Sequence, residues 1–168
     1  VRIANDGNCL AVSEAVDGAG AGAHVVQGMI LGTGFGSGIA IDGRSHDGHQ
    51  GLAGEVGHYS LPWPKEGEYP GPTCWCGRKG CLEMYCSGTG FELDYRTTSG
   101  AARKAAEVME LKRAGDATAI AVYNRYVDRL ARALTLLIDI LDPDVFVLGG
   151  GMSNVDELYD DVPKLLMA

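Results

Sequence analysis

Residues 48–81 show neither helical nor strand periodicity, and this one segment holds four of the chain's six prolines. It ends in CWCGRKGC, residues 74–81, which crowds Cys74, Cys76 and Cys81 into a single tight stretch. A segment this long with no element of its own needs something other than local backbone pairing to hold it inside a compact domain. Whatever fold the chain adopts must supply that restraint.

Three thiols at CxCxxxxC spacing have three readings. A disulfide fits poorly with an odd cluster in a chain of cytoplasmic character. Free structural thiols are the plain reading, and Cys9 and Cys86, each on an apolar helix face, are expected to be buried thiols of that kind. Zinc is the sharper one. A tetrahedral site needs four soft or borderline donors, and a turn shaped by Gly77 and Gly80 offers three. The fourth donor is expected from the same irregular segment, where His58 in GEVGH precedes the cluster by 16 residues. His24, His46 and His49 read as solvated. Four protein ligands leave no open coordination position, so such a zinc would be structural.

Composition narrows the partners. The 168 residues carry a net charge of −8, and no Lys/Arg run exceeds two, so neither a nucleic acid nor an anionic membrane is an expected partner. No run of 18 apolar residues and no signal-peptide pattern is present, and a cytoplasmic location is expected. The chain opens VRIANDG without Met, as if in a short strand, and stops at VPKLLMA within an apparent helix, which reads as a piece of a longer polypeptide.

The rest alternates between α and β signals in one continuous domain. NCLAVSEAVDG predicts a short helix capped by Asn5 or Asp6, with Gly18 past its end. HVVQGMILGTG and GSGIAIDGR predict a hairpin around a glycine-rich turn. AARKAAEVMELKRAG predicts a helix ending at Gly115. A long helix over 116–141 is then capped by Asp116, carries Ile120, Tyr123, Val127, Leu130, Leu134, Leu137 and Leu141 at three- and four-residue spacing, and is stopped by Pro143. DVFVLGGGMSN predicts a buried strand and a glycine turn, followed by a last helix from about Val155.

Taken in order, AND, LGTGFGSG, GEVGH, CWCGRKGCLE and VLGGGMS resemble the ROK family of sugar kinases and repressors, and more narrowly its bacterial fructokinase/hexokinase branch. The resemblance implies an α/β fold, the C-terminal lobe of a two-lobe actin-like (ribonuclease H-like) ATPase with a zinc-bound loop. It would extend over residues 1–168, without the N-terminal lobe and the final helix. It implies ATP-dependent phosphorylation of a hexose 6-hydroxyl, with fructose the favoured sugar and Mg²⁺ accompanying ATP.

By that resemblance, Asp6 is the general base, and Asn5, Asp6, Glu55, His58 and Glu83 hold the sugar. Gly32, Thr33, Gly34, Gly36, Gly38, Gly149 and Gly150 approach ATP, and His58, Cys74, Cys76 and Cys81 bind zinc. Imidazole has two nitrogens, so His58 can serve zinc with one and a sugar oxygen with the other. Read alone, Asn5 and Asp6 are an ordinary helix cap, Glu55 and Glu83 are solvated carboxylates, and the glycines form plain turns. Dimers are common in the family, and the long helix is a candidate subunit contact. Two rivals stand beside the kinase: a sugar-sensing regulator of the same family, and a stand-alone zinc-dependent interaction module. Intact Asp6 and glycine turns favour the kinase.

Overall fold

Asn5 starts the first element. In the computed structural model, which describes residues 4–166, its side-chain oxygen accepts from the backbone N–H groups of Gly7 (2.8 Å) and Asn8 (3.3 Å). That caps helix α1, Asp6–Asp17, which Gly18 closes. The short strand expected at the beginning rests on residues 1–3, outside the described residues.

Strands β1 (Val25–Leu31) and β2 (Phe35–Ile41) form the expected antiparallel hairpin. A two-residue strand β3 (Arg44–Ser45) extends it, and β4 (Val145–Gly149) adds to the other side of β1 in parallel, giving the order β3-β2-β1-β4. Side chains alternate across a pleated strand, so the sheet buries two different faces. Val26, Ala40 and Val147 pack with Ala11 and Ala15 of α1. Met29, Leu31 and Phe35 enter the larger core on the opposite side. Helix α1 approaches the sheet closely because Gly38 of β2 lies against Gly7. A Cβ on Gly38 would sit 2.2 Å from the Gly7 carbonyl, so neither position has room for a side chain.

The larger core is built on helix α5, Ala117–Leu141, whose cap is Asp116, accepting from Ala119 N at 2.7 Å. Tyr123, Val127, Leu130, Leu134 and Leu137 of its apolar stripe are buried as the spacing predicts, while Ile120 and Leu141 are half-buried. Asp142, in the left-handed region (φ 48°), ends the helix before Pro143. Helix α4 begins at Ala105 and runs to Arg113, four residues later than the apolar pattern suggests. Glu107 accepts from the Lys104 backbone N–H (2.7 Å), and this cap sets the start.

Helix α2, Glu83–Cys86, supplies the helix face expected for Cys86, whereas α3, Gly88–Ser99, has no counterpart in the sequence pattern. The sequence GTGFELDYRTTS contains poor helix formers at both ends, but Phe91 and Tyr95 bury one stripe against α5. The signal was in the caps. Ser87 Oγ accepts from Gly90 N at 2.9 Å, and Gly100 takes the left-handed conformation (φ 76°) that closes the helix. The last α-helix, α6, is confined to Glu157–Asp161, between 3-10 turns over Gly151–Asn154 and Pro163–Leu165.

Cys86 is buried as expected, and burial pushes its thiol up to about 12. Cys9 is not. Helix α1 buries Gly7, Asn8, Ala11 and Ala15, and Cys9 falls on the opposite, exposed side.

Candidate functional site

Between Ser45 and Glu83 the described residues form no helix or strand. The segment is nonetheless tied down at several points. Two isolated bridges, Ser60 with Cys81 and Thr73 with Lys79, fold it back on itself. Leu82 N donates to Tyr59 O (2.8 Å) and Glu83 N to Gly57 O (2.9 Å), so the GEVGHY stretch runs beside the residues that follow the cysteines.

That pairing brings His58 to the sulfurs. His58 Nδ1 is 3.6 Å from Cys74 Sγ, Cys76 Sγ is 3.7 Å from Cys81 Sγ, and one ligand atom from each of these four residues lies within 4.8 Å of all the others. Zinc at about 2.3 Å from each sulfur and 2.0–2.1 Å from an imidazole nitrogen requires sulfur–sulfur edges of roughly 3.7 Å and nitrogen–sulfur edges of roughly 3.5 Å. The two close pairs match those edges, and the donor set fits a closed tetrahedral metal site. The Arg78 backbone N–H holds the Cys76 thiol down to about 6, whereas burial pushes the Cys81 thiol up to about 12. His24, His46 and His49 are exposed and stand apart from this cluster.

Around the cluster the expected carboxylates take up fixed places. Glu55 Oε1 accepts from Asn5 Nδ2 at 2.7 Å, so the irregular segment is anchored to the start of α1 beside Asp6. Asn5 therefore acts both as a cap and as a partner of Glu55. Asp6 is exposed, and its Oδ1 accepts from Gly7 N at 2.9 Å. Glu83 opens α2. Its Oε1 accepts from the indole N–H of Trp75 at 2.6 Å and lies 3.8 Å from Cys74 Sγ, while its Oε2 is 3.4 Å from Phe35 N. A Cβ on Gly34 would come within 2.7 Å of that Oε2, so a glycine there lets the cysteine segment meet the β1–β2 turn.

The glycine positions divide. Gly32, Thr33 and Gly34 form the β1–β2 turn, closed by Gly32 N donating to Gly34 O at 3.1 Å. Gly36 and Gly38 lie inside β2, where Gly38 serves the contact with α1. Gly149 ends β4, and Gly150 (φ 83°) leads into the 3-10 turn. Gly32, Thr33 and Gly151 line one cleft of about 450 Å³ together with Gly88, Thr89, Lys104 and Met152. Gly88 N donates to Gly32 O (2.7 Å) and Thr89 Oγ1 to Thr33 O (2.6 Å), so the start of α3 buttresses the turn. These α3 residues were missed by motif reasoning, although the Ser87 cap marks them.

The second anchor of the irregular segment is electrostatic and was also missed. Glu68 is buried and receives Arg129 Nε at 2.7 Å and Arg132 Nη2 at 2.8 Å, both from α5. Arg129 also reaches Asp94 of α3 (2.7 Å), and Arg132 Nη1 donates to the carbonyls of Pro62 (2.8 Å) and Trp63 (2.9 Å). Burial alone would raise the Glu68 pKa, but hydrogen bonds from Arg129, the Lys65 backbone and Arg132 outweigh it and hold the carboxyl below the ordinary glutamate range.

The mixed α/β fold is shared with solved sugar kinases. A ROK hexokinase from Thermus thermophilus superposes with a TM-score of 0.85 at 30% identity, over 96% of this chain and 53% of that one. A ROK family glucokinase from Streptomyces griseus, in complex with glucose and AMPPNP, gives 0.84 at 27% identity, over 99% and 58%. The ROK family model matches residues 1–168, and the chain belongs to that family. It is 43% identical over 173 residues to the N-acetyl-D-glucosamine kinase of Pasteurella multocida (strain Pm70), matching 100% of this chain and 57% of that protein. The chain thus spans a little over half the length of the curated relatives it matches.

Proposed function

We propose that this chain is the C-terminal lobe of an ATP-dependent hexose kinase, and that it carries the general base, a structural zinc site and part of the nucleotide cleft. The observation that carries this reading is the Asn5–Glu55 hydrogen bond, 2.7 Å across a separation of 50 residues, which sets the metal segment beside Asp6. Asp6 accepts the proton of the 6-hydroxyl as that oxygen attacks the γ-phosphorus of ATP, and the products are a hexose 6-phosphate and ADP. Asn5, Glu55, His58 and Glu83 hold the other hydroxyls. His58 turns Nδ1 to the sulfurs, so its Nε2 is left for the sugar.

His58, Cys74, Cys76 and Cys81 would hold a zinc ion, which would supply rigidity and leave no open coordination position. The Gly32–Gly34 turn offers backbone N–H groups to phosphate oxygens, and the cleft lined by Met152 and Gly151 takes the adenosine end. Mg²⁺ enters with the nucleotide.

N-acetyl-D-glucosamine is the first sugar to test, because the Pasteurella relative is named for it. Fructose, favoured by the motif resemblance, is the sugar for which none of the three proteins compared above is named. The deciding experiment is a coupled ADP-release assay of the intact protein with N-acetyl-D-glucosamine, glucose, mannose and fructose. Turnover with one or more aminohexoses or hexoses is expected, and no ADP release with any sugar would reject the reading.

A further inference from the structure

Trp75 stands between two of the metal-ligating cysteines and is 79% exposed, an unusual place for a large aromatic side chain in a chain with only two tryptophans. Its ring is not idle. The indole N–H donates to Glu83 Oε1 at 2.6 Å, and the ring meets His58 edge-on, with centroids 4.8 Å apart and planes at 79°. Its backbone is held on both sides, because Cys74 N donates to Arg78 O (2.8 Å) and Gly77 N to Cys74 O (3.0 Å) in the tight turn that presents the sulfurs.

We infer that Trp75 is a positioning residue that transmits the geometry of the metal turn to the Glu83 carboxylate. This inference rests on the reading of Glu83 as a hexose ligand. A metal ion held by the cluster would fix Cys74 and Cys76; their turn fixes the Trp75 backbone, the His58 ring fixes the indole plane, and the indole N–H fixes one oxygen of Glu83. A carboxylate offers about four lone-pair directions, so one indole N–H orients Glu83 and leaves acceptor capacity for sugar hydroxyls. The Phe35 N–H lies 3.4 Å from Oε2, so the two donors contact both oxygens and bias the carboxylate plane. Ordering that plane before the sugar arrives removes a cost from binding. Exposure of the ring is then a consequence of its task, since it must lean from the metal turn over the edge of the site.

The test is Trp75→Phe in the intact, metal-loaded protein, because phenylalanine keeps a ring against His58 and removes only the N–H. A hydrogen bond to a charged group sets the scale, and a rise in hexose KM of about tenfold is expected. The kcat and the KM for ATP should stay within about twofold, the pattern of lost ground-state positioning, and metal content should stay at one ion per chain. In a Glu83→Ala background, where hexose affinity is read by titration, Trp75→Phe should add nothing.

An unchanged or lowered hexose KM in Trp75→Phe overturns the inference, the lowered value meaning that the indole competes with the sugar. An equal effect in the Glu83→Ala background overturns it as well. One readout is independent of turnover. The indole N–H resonance of Trp75, assigned by its loss in Trp75→Phe, should move in Glu83→Ala, and a stationary resonance contradicts the contact. Wild-type protein that phosphorylates no hexose rejects the kinase reading itself and the sugar-positioning role with it, a result distinct from an active wild type with an indifferent Trp75→Phe.

Discussion

On the proposed reading, function turns on Asp6 and the cluster ligands, and each has a distinct expected signature. Asparagine at position 6 keeps the size and most hydrogen bonds of the side chain but cannot take a proton. Asp6→Asn in the intact protein should lower kcat by about 10²–10⁴-fold, the usual range for losing a general base. Sugar affinity should stay within about tenfold, because binding uses contacts that asparagine retains. Steady-state kinetics with a separate sugar titration check both, and near-normal kcat would remove Asp6 from the base role. Cys81→Ser tests the metal. Its sulfur is buried and paired with Cys76 at 3.7 Å, so its loss should drop the metal content below one ion per chain in elemental analysis and weaken hexose binding. Both losses are expected together, since Glu83 follows Cys81 by two residues. Ligand types and spacing pointed to the grouping of His58 with Cys74, Cys76 and Cys81, which the structure brings together, whereas the role proposed for Asp6 came from the family resemblance alone. The Trp75–Glu83 contact was not legible, because an exposed tryptophan inside a cysteine turn carries no sign of which acceptor it will meet.

At the scale of elements, helix α5 does two jobs. Its apolar stripe fills the core, and its flank sends Arg129 and Arg132 to Glu68, clamping the irregular segment to the helix. Removing one partner of a buried ion pair leaves the other uncompensated, so Glu68→Ala should cost about 3–5 kcal/mol in denaturant unfolding. The pH dependence has a definite sign. Glu68 has a folded pKa below its ordinary 4.5, so its contribution is fully present above that value and is lost as pH falls through the lower folded pKa. Wild-type protein should therefore lose more stability on acidification below about pH 4.5 than Glu68→Ala does, as read from melting temperatures across that window. Asp94 acts in the same direction. Burial opposes its ionisation, but Arg125 and Arg129 hold it below the ordinary aspartate range. A second expectation concerns α1 and β2. Gly38→Ala would press a methyl group onto the Gly7 backbone and should destabilise by about 1–3 kcal/mol, measured by the same unfolding curves. Periodicity made α1, the hairpin and α5 readable, and it failed for α3, whose helix rests on two caps and a short buried stripe rather than on propensity.

For the molecule as a whole, the proposed division of labour predicts that the 168-residue chain by itself takes up one metal ion but releases no ADP in the presence of hexose and ATP. Metal content and the coupled assay check the two halves of that statement separately. The β1–β2 glycine turn, the Cys₃His cluster and Asp6 lie far apart in the chain, yet intermediaries join them: Glu83 touches both the cysteine turn and Phe35 at the β1–β2 turn, and Asn5 touches both α1 and Glu55. No helix among the described residues is long and apolar enough to cross a membrane. The sequence by itself determined the chemistry available: which side chains could bind a metal, which helices would be amphipathic, where caps and glycine turns would fall. Those are short-range properties, set by residue type and by spacings of two to seven positions. Only the tertiary structure decided which of those groups meet, because Asn5 with Glu55 and Glu68 with Arg129 are pairs separated by 50 and 61 residues. A hydrogen bond across such a distance leaves no periodic trace in either partner's neighbourhood, so it exists only once the sheet, the long helix and the cysteine turn have packed.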